Sequence, residues 1–319
     1  MRDSVVERLI VRHCKLPVRR PRDHGSGRVA DHVEVVILQI TTSDGAKGWG
    51  EASPWSVFTG TPEACFAALT RYLSPVVLGR RLADIPAIMA EAETAIVGHP
   101  EAKVALETAL LDAGGQVTGL PIHMLLGGCM RARIPLSISL ADPDFDADME
   151  MLATRTAEGL NIVKVKTGVR DHGFDLDRLD RLRSTYPALD IRIDYNQGLE
   201  PFGALRKLRD IEAFDVTFIE QPFRAAHRDA MADMTAALDT PMLADESVFS
   251  PSDMIRAVSD RLCDAVSVKI MKTGGLRRGL EVAAIAGAAG LPGYGGDMFE
   301  TGIAHLAGAH MIAAAPNIT

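Results

Sequence analysis

Six charged residues fall within or at the ends of short apolar segments. They are Lys164 and Lys166 in NIVKVK, Asp194 in DIRID, Glu220 in VTFIE, Asp245 in PMLAD and Lys269 in AVSVK. From Lys166 onward they are spaced 28, 26, 25 and 24 residues apart, the length of one strand, one helix and two loops. A charge ending an apolar strand is costly unless it is paired or bound to a metal. Three carboxylates at this period, flanked by lysines, therefore read as a metal site with acid/base groups beside it. Asp194, Glu220 and Asp245 are hard oxygen donors. A cation held by few carboxylates keeps positions for water and substrate, which suits Mg²⁺, with Mn²⁺ as the alternative.

Lys164 and Lys166 are two residues apart on a strand, so both point to one face. Two ammonium groups on an inward face disfavour each other's charge, and a nearby divalent cation adds to the effect. The expectation is a lowered pKa for Lys166 and a role as base. Standing alone, such a pair would read as a solvated edge strand. Asn196 and Glu246 fit partners that orient the ligands and lysines, or else a helix cap and a surface group. Lys269 lies one strand beyond the last carboxylate, placing it across a bound substrate from Lys166. Lys272 is expected to be structural. Glu300, in GYGGDMFETG, faces the same mouth, or serves as an acid at a helix N-terminus. The glycines at 293, 295 and 296 are a weak anion-cradle signal, and His305 and His310 read as core or surface residues.

These charges require a scaffold of repeated strand and helix. From about residue 131 short apolar strands alternate with amphipathic helices, which implies parallel strands. Strands are expected at 134–140, 161–166, 191–195, 216–220, 241–245, 264–270 and 291–295, with a helix after each. Strand ends at one mouth are where a (β/α) barrel carries its chemistry. An eighth strand would begin at about Ile318, where the sequence stops. The 189 residues from 131 to 319 fall short of the roughly 250 of a typical barrel. The reading is a barrel whose eighth strand and C-terminal part are missing from the sequence, with an open doubly wound sheet as the alternative. Residues 1–130 read as a smaller α+β domain. It has strands up to about residue 50, a polar loop at 18–32, an aromatic loop at 52–62, and helices at 62–73, 86–97 and 101–118. Nothing in this segment alone indicates chemistry.

Composition bounds the function. The chain has 319 residues, 47% of them hydrophobic, and a net charge of −8. That is enough for a large domain and a small one, and it argues against a nucleic-acid footprint. The start, MRDSVVERLIV, has no apolar signal core, and no run reaches transmembrane length. Cys14, Cys65, Cys129 and Cys263 show no framework or metal spacing and read as free thiols in a reducing cytoplasm.

The blocks KVKTG, RIDYNQG, FIEQPF, LADES, VKIMKTGG and GYGGDMFETG, with ALLDAGGQVTGLPIHMLLGG before them, resemble the enolase superfamily, and within it the muconate lactonising enzyme subgroup. Together the blocks are specific, and the likeness covers nearly the whole chain. The resemblance implies a capping domain over a modified (β/α)7β barrel and Mg²⁺ on Asp194, Glu220 and Asp245. It also implies Lys166 and Lys269 as opposed acid/base groups, with Lys164 assisting at the substrate carboxylate. The shared chemistry is proton transfer at the carbon next to a carboxylate, through an enediolate-like intermediate. The first expectation is a cycloisomerase of the muconate lactonising type, in aromatic catabolism. An amino-acid or dipeptide racemase/epimerase, or a hydroxyproline-type dehydratase, is the second, and a non-catalytic metal-binding barrel comes last. Asp297 departs from the cycloisomerase pattern and would suit a cationic amine better than a dicarboxylate. Specificity in such enzymes sits on the two capping loops, whose candidates are Arg19, Arg20, Arg22, His24, Trp55 and Phe58. Relatives imply a homo-oligomer acting on a small carboxylate, with no nucleic-acid or membrane partner.

Overall fold

The computed structural model describes residues 3–318. The N-terminal part is a three-stranded antiparallel sheet, ordered β1 (Val6–Pro17), β4 (His32–Thr42), β5 (Lys47–Ala52). Between β1 and β4, a small antiparallel hairpin of β2 (Arg22–His24) and β3 (Gly27–Val29) occupies the segment expected to be an irregular loop. The β-branched, alternating run VEVVILQITT makes β4, and its buried side chains Val36, Leu38 and Ile40 face the helices.

Those helices are α1 (Pro62–Ala67), α2 (Ser74–Val77), α3 (Ile85–Ala95), α4 (Pro100–Thr118) and α5 (Ile122–Leu125). A π-helical turn at Ala68–Leu73 interrupts what the sequence suggests is one helix over 62–73. The central α4 is buried almost all round, from Glu101 to Leu111. It lies directly on β5 because Gly48 and Gly50 have no side chain. A Cβ at Gly50 would sit 1.8 Å from the Ala105 carbonyl oxygen, and one at Gly48 would sit 1.9 Å from that of Ala109.

The larger part is a curled parallel sheet of seven strands in sequential order. They are β6 (Ile138–Leu140), β7 (Ile162–Lys166), β8 (Asp190–Asp194), β9 (Phe218–Glu220), β10 (Met242–Ala244), β11 (Ala265–Val268) and β12 (Gly293–Gly295). The intervening helices are α6 (Phe145–Ala157), α7 (His172–Thr185), α8 (Ala204–Glu212), α9 (Arg228–Ala237) and α10 (Pro251–Ser259), then a short α11 (Ile270–Thr273) and α12 (Leu276–Ala288); α13 (Gly302–Ala314) follows β12. The expected alternation is present throughout. One boundary is corrected: β11 stops at Val268, and Lys269 starts α11 instead of lying inside a longer strand. Strands β6 and β12 are the two edges, and Ile318 makes an isolated parallel bridge to Gly293. Among the described residues no helix is long and apolar enough to cross a membrane.

Two buried glutamates of the capping domain hold barrel helices by their N-termini. The Glu51 carboxylate accepts from Thr301 N at 2.7 Å and Ala304 N at 3.1 Å, at the start of α13. Glu107 Oε2 accepts from Leu276 N and Arg277 N, at the start of α12. Each satisfies orphan amides and meets the positive end of a helix dipole. The capping segment thus has chemistry of its own, structural in kind.

Candidate active site

The parallel register assembles the six charges. Lys166 lies opposite Asp194, and Asp194 lies opposite Glu220. Asp245 follows β10 directly, so three carboxylates end three neighbouring strands. All three are fully buried, and Lys164, Lys166 and Lys269 are nearly so. Lys166 Nζ donates to Asp194 Oδ2 at 2.6 Å and to Asn196 Oδ1 at 2.8 Å. Lys164 Nζ donates to Glu220 Oε2 at 2.9 Å, with Asp194 Oδ2 at 3.4 Å. Lys269 Nζ donates to Asp245 Oδ2 at 2.6 Å. Asn196 also reaches Glu246 Oε1 at 3.5 Å and donates its backbone N–H to Asp194 Oδ1. Lys272 donates to the carbonyls of Asp245 and Ser267, the structural role expected of it.

Environment separates the lysines. Burial lowers the pKa of Lys166; Asp194 opposes this and Lys164 adds to it. The direction is the one expected from the KxK pair, but burial is its first cause. Lys164 goes the other way: burial disfavours its charge, but Glu220, Tyr294 and Asp194 together outweigh that and raise its pKa. Lys269 is likewise raised, because Asp245, Glu220 and Glu246 together overcome burial. Among the acids, burial and then Asp194 push Glu220 up, while burial and then Asp245 push Glu246 up to about 8. Burial also acts on Asp194, but the Lys166 and Lys164 ammoniums outweigh it and bring its pKa to about 2.

The three carboxylates are suited to a hard divalent cation. Glu220 Oε1 accepts no hydrogen bond, and Asp245 Oδ1 meets Lys272 Nζ at 2.7 Å outside hydrogen-bonding geometry. Buried carboxylate oxygens with unused acceptor capacity are what a metal would satisfy. Among the described residues no three acid, His or Cys groups already converge as a ready cage; each acid is paired with a lysine that a cation would compete with.

Above these pairs lies a cavity of about 260 Å³. Its floor is Lys164, Lys166, Asn196 and Lys269; its walls are Arg22, Ser139, Asp297 and Met298; its roof is His24, Trp55, Phe58 and Phe299. Residues of both capping loops therefore line one cavity with the strand-end charges. The hairpin is seated by Gly25, where a Cβ would lie 1.9 Å from the Tyr195 carbonyl oxygen, and by the bond from Asp23 N to the Ala141 carbonyl at 2.8 Å.

Of the residues expected to meet substrate, Asp297, Trp55, Phe58, His24 and Arg22 line this cavity. Glu300 does not. It lines a neighbouring cavity between Ile134, Tyr294 and Ile312, accepts from Met298 N at 3.2 Å, and is raised to about 8 by burial and then by Asp297. Its carboxyl is turned back by its own loop, which the spacing of GYGGDMFETG does not reveal. Arg19 and Arg20 are exposed and outside the cavity. The sequence reading overlooked Phe299 and Met298, which lie in a loop that carries no periodic signal.

Comparison with known proteins agrees with this geometry. Residues 8–127 match the "Mandelate racemase / muconate lactonizing enzyme, N-terminal domain" family, and residues 148–319 match the "Enolase C-terminal domain-like" family. The L-Ala-D/L-Glu epimerase of Bacillus subtilis is 35% identical over 295 residues, covering 90% of this chain and 79% of that one. The crystal structure of a muconate cycloisomerase from Azorhizobium caulinodans is 48% identical with a TM-score of 0.88, covering 99% of this chain and 84% of that one. A dipeptide epimerase from Enterococcus faecalis, solved with Mg and the dipeptide L-Leu-L-Tyr, is 25% identical with a TM-score of 0.93, covering 99% of this chain and 89% of that one. The chain, with its capping domain and its paired lysines and carboxylates at the ends of parallel strands, belongs to the muconate lactonising enzyme-like branch of the enolase superfamily, an isomerase family of cycloisomerases and epimerases.

Proposed function

We propose that this enzyme moves a proton at the carbon next to a carboxylate and inverts that carbon, as an epimerase or racemase of an amino-acid derivative. The observation that carries the reading is the unequal lysine pair. Lys166 and Lys269 face one cavity from strands with three others between them. Lys166 has its charge disfavoured, and Lys269 has its charge held by Asp245. A neutral amine on one side takes a proton while an ammonium on the other returns one, which is what inversion requires. In the reverse direction the roles exchange.

Lys164 stays charged and binds the substrate carboxylate. Asn196 holds Lys166 Nζ in place. Asp194, Glu220 and Asp245 would hold Mg²⁺, which supplies positive charge against the second negative charge that develops on the carboxylate.

A cycloisomerase of the muconate lactonising type is the second reading, favoured by the 48% identical muconate cycloisomerase. There one lysine handles the proton while a lactone forms or opens. The two readings separate in D₂O. Deuterium entering the α-carbon of one or both stereoisomers of an amino-acid derivative supports epimerisation. Loss of the muconate diene absorbance supports lactonisation. No exchange across a broad library of acids would overturn the first reading.

A further inference from the structure

The strand that carries Lys166 ends in a turn fastened by a buried ion pair on the following helix. β7 stops at Lys166, and Thr167 and Gly168 lead toward α7. On α7, Asp175 and Arg178 lie three residues apart, both buried, and pair at 2.5 Å. Arg178 Nη2 donates to the Lys166 carbonyl at 2.7 Å, and the Gly168 amide donates to Asp175 Oδ2 at 2.9 Å. Between these two bonds, the Thr167 amide donates to the Asp194 carbonyl at 2.9 Å. The neighbouring strand leaves the Lys166 carbonyl to Arg178. β6 ends at Leu140, opposite Val165, and the next amide on that side, that of Asp142, donates to Asp148 Oδ2. Gly168 has φ +72°, and a Cβ there would lie 2.8 Å from the Tyr195 ring, so the turn is confined from the β8 side as well.

Neither Asp175 nor Arg178 lines the substrate cavity. Stability does not account for them either. Taking two charges out of water costs about as much as their attraction returns, and apolar residues of similar volume often do as well. What the pair does hold is the two peptide groups on either side of Thr167. That backbone sets Lys166 Nζ at Asp194 and Asn196. A base acts only within hydrogen-bond reach of its proton, and a misplacement of about 1 Å can lower a rate about a hundredfold.

We propose that Asp175 and Arg178 are positioning residues for Lys166, holding its peptide from the helix side so that Nζ stays on its two partners. The kinetic consequence rests on the proton-transfer reading above. The placement of Lys166 is tested without any substrate.

The test labels the native protein and its variants with limiting acetic anhydride and reads Lys166 against Lys269 by peptide mass spectrometry. Lys269 is the internal control, because it begins α11 and touches neither residue of the pair. Asp175→Leu/Arg178→Met removes both charges together, so the net charge near Lys166 is unchanged and no unpaired ion is left buried. Lys166, freed from Asp194 and Asn196, should label about fivefold faster relative to Lys269, at a melting temperature close to native. Arg178→Lys keeps a donor for the carbonyl and should restore the ratio toward native. In parallel, α-proton exchange of L-Ala-L-Glu in D₂O and turnover of cis,cis-muconate are measured. For whichever compound the native protein turns over, kcat should fall at least about tenfold in the double variant, with KM within about twofold. An unchanged labelling ratio would overturn the proposal, whatever the kinetics. A rise shared equally by Lys269 would also overturn it, since the pair would then hold the fold as a whole. A raised Lys166 ratio with native kcat would support the placement and overturn the reading of Lys166 as the base.

Discussion

A lysine is a weak base at neutral pH because its amine is protonated, and burial in this site disfavours that charge on Lys166. Lys166 must be neutral to accept a proton, so kcat/KM should rise with pH through its pKa. Burial sets that pKa low, and the Lys164 ammonium lowers it further. Lys164→Met removes the ammonium, so the rising limb should move to higher pH, measured as a pH profile of kcat/KM. A limb that stays in place would mean that Lys166 is not the titrating base. Lys166→Ala should lose the limb along with at least a hundredfold in kcat, the usual scale of a general base. The carboxylates make a separate prediction. If Asp194, Glu220 and Asp245 take up Mg²⁺, the folded state should gain about 2.7 kcal/mol at a hundred times the dissociation constant. A thermal melt with Mg²⁺ against one with chelator should show that gain in the native protein and lose it in Asp245→Asn. Equal melts in the two proteins would remove Asp245 from the metal site.

At the scale of elements, the hairpin β2–β3 places His24, and it can do so because Gly25 touches the barrel. Any side chain at Gly25 meets the Tyr195 carbonyl at under 2 Å, and backbone cannot give way as a flexible side chain can. Gly25→Ala should lift the hairpin and cost at least tenfold in kcat/KM, with the melting temperature nearly unchanged because the hairpin contributes little to the core. A variant with native kinetics would mean that the roof is not set by this contact. The sequence was silent on this hairpin. Its polar, glycine-broken text, RDHGSGRV, has no hydrophobic alternation, since one side faces a cavity and the other solvent. The central barrel strands β7 to β11, by contrast, were readable because each is a short apolar run with a charge within it or at its C-terminal end. Glu300 lies outside its expected cavity, and Phe299 was overlooked, for a related reason. A loop has no period, so neighbouring residues can face different cavities. Lys269 lines the cavity despite a misplaced strand end, because its position in the repeat, and not the element holding it, carried the signal.

At the scale of the whole molecule, the roof works only if the capping domain keeps its place on the barrel, and buried acids fix that place. Glu107 reaches across to the amides of Leu276 and Arg277. Its surroundings are dry, and burial raises its pKa from 4.5 to about 7, with the two amides and the Arg277 charge only partly opposing. The sign follows from linkage. An acid whose folded pKa is raised binds a proton more readily folded than unfolded, so its contribution is fully present below about pH 4.5 and is lost as pH rises toward 7. With about 1.4 kcal/mol per pKa unit, the loss is on the order of 3 kcal/mol. Glu107→Gln keeps an oxygen to accept from the amides but has no proton to release. Its stability, measured by denaturant unfolding at a series of pH values, should fall less steeply between pH 4.5 and 7 than that of the native protein, and should equal or exceed it at pH 7. The opposite result, a Gln variant weaker than native at pH 7, would mean that the charge on Glu107, acting on the helix dipole and Arg277, holds the two domains together. Stability and catalysis would then share one requirement, an ionised acid at the seam, and both should weaken together as the pH falls.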